Sequence, residues 1–379
     1  MLRSENRILT THTGSLPRPA DLVELIRARE AGEQLDAQVF AARVQSAVNE
    51  AVDKQVAAGI DSVSDGELGK PSFATYVTYR ITGFDGENLA PRTSADAEAF
   101  PEWAKTLTPN TMKRKFCVGP LAYQNKAELE ADLANARAAA QAAGAREVFM
   151  PSASVGIIAD IMENQFYPTD EAYYHAIAMA MKVEYDAIAK AGFVLQIDAP
   201  DAAMCRHTRF RHRSLEDFRA WQSQCIEALN EALVDVPREQ IRFHTCWGNN
   251  ESPHIHDVPL KDIVDLVLRV KAGAYSIEAS NPRHAHEWRL WEDVKLPEGA
   301  ILMPGVIDST TNFVEHPELV ADRIEQFARL VGRENVVAGT DCGFGTAAGR
   351  MTPHPEIVWH KLHALAEGAE LASKRLWGR

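Results

Sequence analysis

Short apolar runs recur along this chain, each followed by a polar or glycine-bearing loop and then a stretch with apolar residues every three to four positions. The runs are residues 7–15 (RILTTHTGS), 60–67 (IDSVSDGE), 115–123 (KFCVGPLAY), 146–154 (REVFMPSAS), 193–200 (FVLQIDAP), 241–249 (IRFHTCWGN), 274–280 (AYSIEAS), 300–308 (AILMPGVID) and 335–344 (NVVAGTDCGF). Runs this short, bounded by turn residues, read as buried strands. Between them lie helical patterns such as VFAARVQSAVNEAVDKQVAAG, ELEADLANARAAAQAAGA, DIVDLVLRVKAGA and ELVADRIEQFARLVG, each stopping at or near a glycine. Strand alternating with helix predicts parallel strands joined by crossovers, and eight such units close a (β/α)8 TIM barrel. Nine candidate strands are one too many. The surplus falls in residues 68–125, where PSFATYVTYR, a glycine-rich turn and PRTSADAEAFPEW break the alternation. That segment is expected to be an insertion capping a single catalytic domain over residues 1–379, with KFCVGPLAY pairing outside the barrel.

The polar residues fall where a barrel concentrates its chemistry. Ser15, Glu67, Asp198, His244, Cys246, Glu278, Asp308, Asp341 and Cys342 all lie at or just past the C-terminal end of an apolar run, the end that carries the active site in barrels of this kind. The run IRFHTCWGN is the most informative. Strand side chains alternate faces, so His244 and Cys246 point the same way. An imidazole beside a thiol is half of a zinc site. Glu278 and Cys342, at two later strand ends, are the candidates for the other half.

Composition narrows the class. The chain has 379 residues, is 46% hydrophobic and carries a net charge of −13, which disfavours nucleic-acid backbones and anionic membranes as partners. MLRSENRILTTHTGS holds no apolar run of signal-peptide length, and no segment approaches the roughly 18 apolar residues that span a bilayer. Five cysteines are too few, and odd in number, for a disulfide framework. A cytoplasmic enzyme is expected, and neither charge nor composition excludes a homo-oligomer.

Zinc held by two thiolates, an imidazole and a carboxylate is a poor activator of water. It is well suited to holding a substrate thiolate when the carboxylate gives way, because coordination deprotonates a thiol whose free pKa is about 8.5. Zinc is redox-inert, so the sulfur stays nucleophilic. The implied partners are a small-molecule thiol and an alkyl donor. For each residue taken singly a plainer role competes: Cys246 as a small buried hydrophobe, Glu278 as a salt-bridged rim carboxylate. A metallohydrolase would favour His and Asp ligands, a metal-free decarboxylase would need no His-x-Cys pair, and structural zinc uses closely spaced cysteines.

Those pieces also resemble a known family. THTGS near the start, DGE at 65–67, QIDAP at 196–200, HTC at 244–246, SIEAS at 276–280, PGVID at 304–308 and TDCG at 340–343 occur in the order found in the C-terminal catalytic barrel of cobalamin-independent methionine synthase. The resemblance implies that His244, Cys246, Glu278 and Cys342 are Zn2+ ligands. It implies equally that Ser15, Glu67 and Asp198 hold homocysteine, whose sulfur is methylated to give methionine. Three features depart from the pattern: the family's second barrel-like half has no counterpart here, Thr310 stands where a proton-donating His is found, and Ala199 replaces a Glu. Short single-barrel relatives include the epoxyalkane:coenzyme M transferases (2-hydroxypropyl-coenzyme M lyases), which open an epoxide with a zinc-bound thiolate. Their sulfonate substrate and alkoxide product call for cations and acids at the rim. Arg206, Arg209, Arg283, His284 and His286 are the candidates, set against the plainer reading of solvated loop residues. Arg206 and Arg283 are taken as substrate-binding, and His12, Asp308 and His284 as catalytic. Tyr76 and Tyr79 either line the pocket or pack it, and HIHD at 254–257 offers a second metal pair.

Overall fold

The structure, a computed structural model, describes residues 1–107, 112–351 and 353–378. Eight parallel strands carry it: β1 (Leu9–Thr10), β2 (Ser62–Val63), β3 (Glu147–Ala153), β4 (Val194–Asp198), β5 (Ile241–Thr245), β6 (Ala274–Ile277), β7 (Ile301–Ile307) and β8 (Val337–Thr340). Each pairs with its sequence neighbour, and β1 pairs with β8. A parallel bridge between Thr11 and Ser62 closes the ring between β1 and β2. The strands lie in eight of the nine apolar runs. The ninth run supplies Phe116–Cys117, which pairs with Phe84–Asp85 and Glu163–Asn164 in a separate three-stranded sheet. The fold is a (β/α)8 barrel.

Helices around the ring form where the apolar period predicted them. Ala37–Ala57 starts at Asp36, whose carboxylate accepts the N–H groups of Gln38 and Val39. Lys126–Ala143 stops at Gly144 in the left-handed conformation, and Leu215–Ala232 opens with a capping box between Ser214 and Asp217. One expectation needs correction. DIVDLVLRVKAGA is not a full helix: a 3-10 turn, Leu260–Asp262, leads into a single α-turn, Val264–Val267. Its β-branched Ile263, Val264, Val267 and Val270 are poor helix formers and all four are buried, and tight i→i+3 turns, such as Leu266 N–H to the Ile263 carbonyl and Val270 N–H to the Val267 carbonyl, replace a continuous α-helix.

Within residues 68–125 the chain makes a 3-10 turn, two short helices (Ala95–Ala99 and Pro101–Ala104) and two of the short strands. Residues 108–111 of that segment lie outside the described residues. Among the described helices none is long and apolar enough to cross a membrane.

The barrel interior is polar at its centre. Arg242 on β5 donates to Thr11 Oγ1 (2.9 Å), to the Gln196 side chain and to the His12 carbonyl, and its guanidinium lies 3.6 Å from the centre of the Phe149 ring. Burial lowers the Arg242 pKa to about 9. This layer forms the floor beneath the C-terminal mouth.

Candidate active site

Register places the key residues at one level of the barrel. Ala153, Asp198, His244 and Ser276 are successive partners across β3 to β6. Above them opens a cavity of about 1140 Å³, lined by Ser15, Glu67, Asp198, His244, Cys246 and Cys342 among others. On one side the wall comes from the 68–125 segment, through Arg92, Asp96, Trp103 and Arg114.

Ligand atoms of His244, Cys246 and Cys342 lie within 4.8 Å of one another. The two sulfurs are 3.6 Å apart and both thiols are free. Two thiolates on one tetrahedral zinc stand ~3.8 Å apart when each bond is ~2.3 Å, so little adjustment is needed. His244 Nδ1 lies 3.3 Å from Ser276 Oγ, while its buried Nε2 has no partner. Burial, then the charge of Arg242, lowers the His244 pKa to about 3, which keeps the imidazole neutral. A neutral ring oriented through one nitrogen, with a bare lone pair on the other, is what a metal requires of histidine. Without a cation, the neighbouring Cys246 thiol and burial push Cys342 well above the ordinary thiol range.

Glu278 stands beside this group but outside the 4.8 Å set. Its Oε2 accepts the Trp247 N–H (3.0 Å) and its Oε1 the Asn281 amide (2.9 Å). Asp341 ties the loop carrying Glu278 to the loop carrying Cys342. Its carboxylate accepts three backbone N–H groups, from Ala279, Ser280 and Asn281, each at 2.8 Å.

Glu67 and Asp198 form an acidic pair. Glu67 has φ +56, and its Oε2 is buried without a partner. Burial raises its pKa; Asp198 is raised well above its ordinary value by burial and then by the Glu67 charge. Gly14 makes room for them: a Cβ there would sit 2.7 Å from Pro151 and 2.8 Å from Glu67 Oε1. Ser15 Oγ accepts the Gly345 N–H at 3.2 Å, which holds the first loop against the Cys342 loop.

The three residues expected to handle protons have other partners. His12 lies in the floor, its Nε2 2.7 Å from Gln55 Oε1 and its Nδ1 accepting from Gly14 N. Burial lowers its pKa to about 3, so the ring is neutral and both of its nitrogens are engaged by Gln55 and Gly14. Asp308 does not line the cavity. Its carboxylate closes a turn by accepting the N–H and hydroxyl groups of both Thr310 and Thr311. His284 stacks on Trp247 (ring centres 3.8 Å apart) and bonds to Asp257 and Glu287. Burial would lower its pKa, but the hydrogen bonds it donates to Asp257 and Glu287 outweigh that and raise it to about 10.

Nor do the expected substrate-binding arginines reach the cavity. Arg206 donates to the Phe210 carbonyl and Arg283 to that of Ile255. Arg209 lies over Trp221, and His286 precedes the 3-10 turn Glu287–Glu292. Tyr76 packs below the site on Glu184 and Ser152, and Tyr79 under Arg29. Within HIHD the two histidines diverge, His254 to Asp257 and His256 to Asp96. Two residues that do line the cavity carried no distinguishing motif: His207, next to the singled-out Arg206, and Arg350, which has no hydrogen bond or ion pair from its side chain among the described residues and whose pKa is lowered by burial alone.

The profile of the cobalamin-independent synthase catalytic domain matches residues 155–355, more than half of the chain. The chain belongs to that family. It is 24% identical to the methionine synthase of Thermococcus kodakarensis over 368 residues, covering 97% of this chain and 94% of that one. With the 2-hydroxypropyl-CoM lyase of Xanthobacter autotrophicus it shares 28% over 186 residues, 42% of this chain and 46% of the lyase. Among solved structures, the B12-independent methionine synthase of a Shewanella species, in complex with selenomethionine, superposes with a TM-score of 0.74 at 20% identity. That match covers 98% of this chain and 100% of the other, and it bears on the fold alone.

Proposed function

We propose that this protein catalyses zinc-dependent alkyl transfer to a substrate thiol, with methylation of homocysteine to methionine as the leading reaction. The observation that carries this reading is the group of His244, Cys246 and Cys342 at the cavity floor, with Nε2 of His244 unpartnered. These residues would hold zinc, with Glu278 as the fourth and exchangeable ligand. Bound zinc would supply a thiolate at neutral pH.

The chain's own residues do the rest. Glu67 and Asp198 take the ammonium of an amino-acid thiol: two buried, like-charged carboxylates are relieved by a cation between them. Ser15 and the glycine-rich loops it bridges fix the position of the thiol's backbone, and the 68–125 segment covers the reacting atoms from one side. Orientation of this kind accounts for much of the rate that a transfer between two bound substrates can gain.

A second reading, opening of an epoxide by a zinc-bound sulfonate thiol, is favoured by the similarity to the lyase and by Arg350 at the cavity wall, whose side chain has no hydrogen bond or ion pair among the described residues. One experiment separates the two. Zinc is replaced by cobalt, and homocysteine or 2-mercaptoethanesulfonate is added while the metal absorption is followed. Each thiol is then assayed with 5-methyltetrahydrofolate and with epoxypropane. A spectral change and turnover with homocysteine and the methyl donor support the leading reaction. Absence of any thiol-dependent change, for either thiol, overturns both.

A further inference from the structure

Alkyl transfer to sulfur leaves the former carrier of the alkyl group with an electron pair. When that carrier is an amine nitrogen or an alkoxide oxygen, it must take up a proton as the bond breaks. The acids around the cavity are mostly committed. Asp96 is paired with His256 and Asp160 with Arg92, Glu67 and Asp198 face the ammonium site, and Glu251 is exposed. Arginines hold their protons too tightly to donate. One imidazole that lines the cavity is not in the metal group: His207.

Its setting is built. His207 is 8% exposed, and its backbone carbonyl accepts the Ala95 N–H at 2.8 Å, which docks the covering segment onto it. Its Nδ1 stands 2.9 Å from Asp257 Oδ1, and the Asp257 side chain is 2% exposed. The contact is at ion-pair distance without full hydrogen-bond alignment. Such misalignment is common before substrate binds. The other Asp257 oxygen holds His254 Nδ1 at 2.7 Å and His284 Nε2 at 2.9 Å, which fixes the carboxylate from behind. Nε2 of His207 makes no hydrogen bond with a described residue.

We propose that His207 is the proton donor of the reaction and that Asp257 positions its ring. This rests on the alkyl-transfer reading above. As the sulfur–carbon bond forms, the bond from carbon to the carrier breaks. The carrier atom keeps the electron pair and takes the proton from His207 Nε2. The imidazole, then neutral, regains a proton from water after the products leave.

The test compares leaving groups. Epoxypropane and 5-methyltetrahydrofolate need a proton on departure; methyl iodide does not. With the zinc enzyme and homocysteine or 2-mercaptoethanesulfonate, His207→Gln should lose ~100-fold or more of the rate with the proton-requiring donor. Its rate with methyl iodide and its zinc content should stay within about threefold of the parent. Asp257→Asn should show the same selectivity with a smaller loss, and His207→Asn guards against a defect peculiar to Gln. Equal losses with both kinds of donor, or no loss with either, overturn the proposal. A parent enzyme that accelerates only methyl iodide overturns it too while leaving thiol activation intact; a parent that alkylates no thiol at all overturns the function itself.

Discussion

Two clusters near the barrel mouth each bring three metal-capable groups within 4.8 Å: His244, Cys246 and Cys342 in one, His254, Asp257 and His284 in the other. Residue type alone does not separate them. Their hydrogen bonds do. In the second cluster every nitrogen is engaged: His254 with Asp257 and the Asn250 carbonyl, His284 with Asp257 and Glu287. Its nitrogen–oxygen separations of 2.7 and 2.9 Å are shorter than the ~3.3 Å between ligands around a tetrahedral zinc, so the contacts are hydrogen bonds. The first cluster leaves Nε2 of His244 buried and bare beside two thiols. Buried polar atoms are rarely orphaned without a missing partner, and the cation proposed above would supply one.

The largest expected effect falls on the unsatisfied cluster. Cys246→Ala and Cys342→Ala should each lose zinc and thiol alkylation together, read by metal analysis and by the assay. Full activity in either variant breaks the comparison. The satisfied cluster should respond in the opposite way. His284→Gln should retain zinc but lose about 3 kcal/mol of stability at pH 7, as expected for removing one partner from a buried ion pair. The sign with pH follows from its raised pKa. Stability contributed by a protonated His284 is fully present below about pH 6.5 and is lost as pH rises through about 10. Denaturation of parent and variant should therefore converge toward pH 10.

Much of this was legible in the sequence, for reasons specific to each residue. The barrel strands announce themselves because each is a short apolar run ending in polar residues, as in QIDAP and TDCG. His244 and Cys246 could be set on one face because strand period fixes side. Loops have no such period. Arg206, His207 and Arg209 read alike as a basic loop, yet only His207 lines the cavity. Turns and backbone carbonyls decide which neighbour faces inward. His12 looked catalytic within THTGS, but its place beneath Gly14 follows from Gln55 and Arg242, residues far away in sequence. The short turn at Val264–Val267 was missed because apolar spacing fits a helical face without fixing whether the turns close as i→i+4 or as the tighter i→i+3 found here.

Carboxylates sharpen the same contrast at smaller cost. Glu67 is the unsatisfied member, with Oε2 bare. Glu67→Gln should weaken homocysteine binding ~10- to 100-fold, the worth of a hydrogen bond to a charged group, and leave 4-mercaptobutanoate, which lacks the ammonium, unaffected. Burial raises the pKa of Glu67 and of Asp198 in the free site, and only their ionised forms hold a cation. Both thiols should lose affinity as pH is lowered, because each would bind the metal as a thiolate; homocysteine should fall more steeply than 4-mercaptobutanoate, the extra loss beginning above the ordinary carboxylate range. Calorimetric titration of the two thiols would expose a parallel decline, which is the result that removes these residues from the site.

Asp308 is the satisfied counterpart, and the smallest effect belongs to it. Burial would raise its pKa, but the Thr311 and Thr310 donors hold it below the usual value. Its contribution to stability is therefore present above about pH 4 and lost as pH falls through that lowered value. Asp308→Asn should cost about 1 kcal/mol, as loss of a side-chain-to-backbone turn bond does, and change the alkylation rate by less than about twofold. Asn keeps the shape but cannot accept at both ends, so a turn is weakened and nothing in the cavity moves. A large loss of rate at unchanged stability would show that a carboxylate with four donors still reaches the chemistry, and the rule that bare atoms mark the working site would fail here.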